Sequence, residues 1–156
     1  MTSGKVCKIT PVMYMKNSKD ILSSLLKTTQ MGQVGIRSVL DTAMPPALRR
    51  ALQSQLKEYE PIETEAHALA GQRGWELPEL DPAVRFLADM TTRMKLSGKN
   101  ADSKIAAMMV QGNTRGVIKN LKNLHRLPSP DQPIETLSQK LLDCENANIR
   151  QMQSFL

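Results

Sequence analysis

The side chains of this chain that could do chemistry are carboxylates, amides and an imidazole at helical spacing. Glu60 and Glu63 are three residues apart, Glu63 and His67 four, and Glu145 and Asn148 three. On a helix such pairs share one face, so both members can reach a common centre. Gln33, Tyr59 and Asn113 stand within otherwise apolar stretches. Carboxylate and imidazole at this spacing suit metal ligation. A metal pair inside a helical bundle takes one Glu from each of two helices and a Glu-x-x-His from each of two more. Measured against that requirement the set is short, because neutral amides bind transition metals poorly and cannot balance their charge. The competing reading of Gln33, Tyr59, Glu63, His67, Asn113, Glu145 and Asn148 is a hydrogen-bonded network that sets helix register. If any metal binds, Glu63, His67 and Glu145 are the residues to hold it. No P-loop, GxGxxG, GxSxG or HExxH occurs, and no Ser/His/Asp or Cys/His set can be assembled, so no residue is assigned a catalytic role.

Helices must position this cluster. The periodicity predicts a first helix from Lys19 to about Ala43, after a loose tail over 1–16. It predicts a second from Pro46 to about Arg73, with a kink or break near 57–61 because of Pro61. A short helix over 82–96, one from about 102 to 125 and a last from 132 to 153 complete the chain. The apolar stripes are interrupted at mid-helix by Thr29, Gly32 and Gln33 in the first helix, and by Gln55, Tyr59 and Glu63 in the second. Asn113 and Asn120 interrupt the stripe of Ala106, Met109, Val110, Val117, Leu121 and Leu124. Glu145 and Asn148 do so in the last helix. Polar groups placed at similar depth on several buried faces must pair with one another, with a ligand or with water. Gly32, Gly35, Gly112 and Gly116 lie inside helices, where each costs about 1 kcal/mol against Ala, which implies close packing there. Trp75, in a loop, is expected to plug one end of the bundle.

Composition agrees with helix-on-helix packing. Hydrophobic residues make up 40% and aromatics 3%, with ten Met, a poor recipe for a β-sandwich or barrel. The net charge of +6 is compatible with anionic partners. Scarce aromatics and the lack of a dense Lys/Arg run argue against nucleic acid. No stretch approaches the roughly 18 apolar residues of a membrane span, so no membrane partner is expected. Cys7 and Cys144 form no CxxC pair, which points to a reducing compartment and a cytoplasmic protein.

With helix order and the segments 58–74, 105–124 and 141–156 in view, the chain resembles small bacterial ferritin-like proteins of uncharacterised function over residues 17–155. The resemblance implies an all-α, ferritin-like four-helix bundle at 17–156, with the short helix in a crossover between the second and third long helices. It also implies a di-metal site, and here the chain departs from the family. The first helix offers Thr29 or Gln33 where Glu belongs. The second offers Glu60-x-x-Glu63, or Glu63 with His67. The third long helix offers Asn113, and the last Glu145-x-x-Asn148 in place of Glu-x-x-His. The expectation is therefore a non-catalytic bundle acting through protein–protein contacts, as a homo-oligomer, with no cofactor. A ferritin-like protein binding iron or manganese at a degenerate carboxylate site is the alternative.

Overall fold

The computed structural model describes residues 11–80, 99–127 and 129–156. Four helices account for nearly all of them: α1 (Pro11–Leu40), α2 (Pro46–Gln72), α3 (Ala101–His125) and α4 (Gln132–Gln153). No strand occurs among the described residues. The expected helix over 82–96 and Cys7 lie outside them.

Side-chain pairings define the topology. Gln33 meets Glu63, so α1 and α2 are antiparallel. Asn123 donates to Ser24 at 2.8 Å, while Met109 lies opposite Gly35, so α3 also runs against α1. Gln55 with Gln151, Glu65 with Lys140 and Arg73 with Asp131 set α4 against α2. Asn120 donates to the Ser138 carbonyl, setting α4 against α3. Hence α2 and α3 point the same way from opposite corners, and Gln72 and Ala101 stand at opposite ends of the bundle. The chain between them therefore joins opposite ends of an all-α four-helix bundle.

Two helix boundaries differ from expectation. α1 begins at Pro11 rather than Lys19, so 11–16 is helical, not a loose tail; residues 1–10 lie outside the described range. Proline is tolerated in a first turn, because its missing N–H would have no partner there anyway. Ser18, just before the expected start, lies buried inside the helix. α1 stops at Leu40, before Ala43, where the Arg49 guanidinium from α2 takes the Leu40 carbonyl and donates to that of Thr42 at 3.0 Å. Ala43 is exposed. α2 runs through Pro61 without a break. Pro61 and Lys57 both face solvent, so water can serve the carbonyl that proline leaves without an N–H partner.

α2 ends in a Schellman motif. Gly74 takes φ +66°, its N–H reaches the Gly71 carbonyl, and the Trp75 N–H reaches the Ala70 carbonyl at 2.9 Å. Trp75 packs half-buried on the core, as expected of an end plug, and the Arg73 guanidinium lies 5.1 Å from its ring centroid. Arg73 also grips Asp131 with two bonds of 2.7 Å and holds that buried carboxyl below the usual carboxylate range. The pair ties the end of α2 to the start of α4.

The core is aliphatic. Leu22, Leu26, Leu52, Ile105, Leu141 and Met152 are fully buried. On α3 the buried stripe is Ile105, Ala106, Met109, Asn113, Gly116 and Asn120. Leu121, assigned to the core from periodicity, is instead 41% exposed. The true stripe includes small and polar positions, which a hydrophobic count shifts by one position.

Candidate functional site

The polar residues do converge at mid-bundle, but they divide into two groups. Tyr59 belongs to the group that spans the bundle. Its hydroxyl donates to Asn113 Oδ1 at 2.9 Å, crossing the diagonal from α2 to α3 through the axis of the bundle. The Asn113 amide donates to the Met109 carbonyl one turn back, at 2.8 Å. Gly32 makes room for the ring, because a Cβ there would lie 2.5 Å from Tyr59 Cζ. The Tyr59 pKa is raised, first by burial and then by the facing carboxyl of Glu145, so the phenol keeps its proton.

On the α3–α4 side, Glu145 is 2% exposed and lies directly on the backbone of Gly116. Any Cβ at Gly116 would collide with the carboxyl. Glu145 Oε1 has no hydrogen-bond partner. Burial pushes its pKa from 4.5 to about 8, so the side chain is neutral at pH 7. Neighbouring Cys144 donates weakly to Glu58 Oε2 at 3.8 Å and receives the Asn148 amide at 3.7 Å. Burial, followed by Glu58 and Glu145, pushes its thiol up to about 12, far from a nucleophilic thiolate at neutral pH.

On the α1–α2 side, Glu63 accepts from both Gln33 and Gln30, the latter at 3.4 Å, and Arg37 donates to Gln33 Oε1 at 3.3 Å. His67 Nε2 lies 3.7 Å from Glu63 Oε1, and the two side chains are 49% and 29% exposed. Glu63 and His67 sit at the rim, whereas Gln30 and Gln33 are buried. Thr29, offered as a site residue, turns its hydroxyl back onto the Leu25 carbonyl at 2.9 Å.

The structure thus joins Gln33, Glu63 and His67 in one group, and Tyr59 and Asn113 in another with Glu145 and Asn148 beside them. It does not gather Glu63, His67 and Glu145 into one ligand set, and among the described residues no three His, Cys, Asp or Glu side chains do so. Sequence reasoning missed Gln30, Glu58 and Cys144. The i,i+3 relation of Gln30 to Gln33 was a usable signal for the first. Nothing in the sequence pointed to the thiol contacts of the other two. Of the four glycines expected to mark close packing, Gly32 and Gly116 admit polar side chains, whereas Gly112 meets nothing within 4 Å and Gly35 only Met109 at 4.0 Å.

The chain is similar in fold to a DUF305 fragment from Deinococcus radiodurans. That crystal structure superposes with a TM-score of 0.71 over 93% of this chain and 95% of its own, at 15% identity. At that identity the likeness concerns the bundle alone. No family model and no curated protein matches the chain. No helix among the described residues is long and apolar enough to cross a membrane.

Proposed function

We propose that this chain is a ferritin-like superfamily protein whose metal centre has been replaced by a polar network, and that it acts non-catalytically through protein–protein contacts as a cytoplasmic homo-oligomer. The observation that carries this reading is the Tyr59–Asn113 bond across the bundle axis. It fills with neutral side chains the place where helices of this fold direct their metal ligands. A metal pair needs four carboxylates and two imidazoles there. The groups on offer are amides, a phenol, a carboxyl that stays protonated up to about pH 8, and a Glu–His pair at the rim. These residues do not fit a metal pair, and no reaction is derived through one. What the cluster does is mechanical: polar groups that bond across helices, Tyr59 to Asn113 and Gln33 to Glu63, oppose sliding of one helix along another.

A second reading, a single bound ion, is favoured by one observation, the unpartnered Glu145 Oε1. Elemental analysis of purified protein separates the two. The first reading expects sub-stoichiometric metal. Stoichiometric iron, manganese or zinc that disappears in both Glu63→Ala and Glu145→Ala would overturn it. A strictly monomeric mass in light scattering would remove the oligomer.

A further inference from the structure

We infer that copies of this chain associate head to tail, the basic outer face of α3 on one copy seating on the acidic outer face of α2 on the next; this rests on reading the chain as a self-associating bundle. From Ser103 to Pro130 the sequence contains no acidic residue. Within that span Arg115, Lys119 and Lys122 are exposed along two turns of α3 and make no ion pair among the described residues. Between them stand Ile118, 49% exposed, and Leu121, 41% exposed. Two aliphatic side chains flanked by cations form a contact patch that water solvates poorly and an acidic surface complements.

Such a surface lies on the same molecule. From Glu58 to Ala66, α2 contains four glutamates and no cation. Glu63 turns towards Gln33, while Glu58, Glu60 and Glu65 face outward. Glu60 makes no ion pair among the described residues, and Glu65 shares an exposed, exchangeable pair with Lys140 at 2.8 Å. Pro61, Thr64 and Ala68 form the exposed ridge between these acids, a low surface on which Ile118 and Leu121 can rest.

The two faces match in length and overlap in height, offset by three residue steps, about 4.5 Å of helix. The Tyr59–Asn113 bond sets α2 and α3 level, and both helices continue from it in the same direction. Glu58–Glu65 and Arg115–Lys122 each span seven residue steps, about 10 Å of helix. The faces occupy opposite corners of the bundle, so they cannot neutralise each other within one copy. Two copies side by side with parallel axes bring them together. Such a heterologous contact repeats into a ring or a filament rather than closing as a two-fold dimer.

Sedimentation velocity on the full chain, with circular dichroism to verify folding, tests this. One variant is Lys119→Glu/Lys122→Glu and the other Glu60→Lys/Glu65→Lys, all at exposed positions. Wild type is expected to associate more weakly as salt rises. Each variant alone is expected to associate at least about tenfold more weakly, and an equimolar mixture to regain association. If wild type stays monomeric at every concentration, both the self-association reading and this interface fall. If wild type associates and either folded variant associates equally well, the interface alone is overturned. If monomeric wild type instead sediments with phosphatidylglycerol vesicles and Lys119→Glu/Lys122→Glu does not, the α3 face serves a lipid surface and the inference is likewise wrong.

Discussion

On the α1–α2 side of the bundle, Glu63 receives amide donors from Gln30 and Gln33 and keeps 29% of its side chain in contact with solvent. On the α3–α4 side, Glu145 is 2% exposed, rests against a glycine and leaves one oxygen without a partner. Both are glutamates at mid-helix on polar-interrupted stripes. They differ in the donors and water that reach them. A carboxyl with amides and solvent nearby can be lost at little cost, whereas one sealed against hydrocarbon and backbone shifts its proton equilibrium instead. Sequence spacing made the two residues look equivalent, but depth separates them.

The sharpest way to break this contrast is pH. Between about pH 4.5 and 8 the unfolded chain gives up the Glu145 proton while the folded chain keeps it. The unfolded state then binds fewer protons, so stability falls as pH rises through that window and levels off above it. At about 1.4 kcal/mol per pH unit, the loss from this group is at most on the order of 5 kcal/mol. Glu145→Gln keeps the shape without ionising and should flatten this contribution, which urea unfolding at pH 5 and pH 9 would reveal. An unchanged slope in the variant would mean that Glu145 is not sealed from water.

The next largest effect belongs to Gly32. A methyl there would lie 2.5 Å from the buried Tyr59 ring, and Gly32→Ala should cost about 1–3 kcal/mol despite the better helix propensity of alanine. Gly112→Ala, in open space, should be neutral or stabilising by up to about 1 kcal/mol. The same thermal or urea melts check both, and equal effects would show that the Tyr59 seat is loose. Smaller again is Tyr59→Phe, which leaves Asn113 Oδ1 buried without its donor and should cost about 1–2 kcal/mol. Smallest is Glu63→Gln at the rim, under about 1 kcal/mol in the same unfolding assay. If Glu63→Gln proves costlier than Tyr59→Phe, the ranking of the two sides is reversed.

Much of the fold could be read from residues alone. The α3 and α4 boundaries, the Gly74 stop and most of the buried aliphatics follow from caps, prolines and period 3.6, which act within a few residues. Misreadings arose where a distant partner intervened. Arg49 reaches from α2 to end α1 at Leu40. On α3, Gly116 is buried because Glu145 from α4 lies on it, and this turns Leu121 outward. Of the candidate cluster, the residue types and their approximate height were legible, and their division into two groups was not.

By itself the sequence determined that polar groups would interrupt four buried helix faces, because their positions follow the helical repeat and the repeat is local. The tertiary structure decided which of those groups meet. It sent Tyr59 across the axis to Asn113, left Glu63 and His67 at the rim, and sealed Glu145 against Gly116. The physical reason is that pairing and burial depend on the relative rotation and height of helices far apart in the chain. Those are settled only when the whole core packs at once.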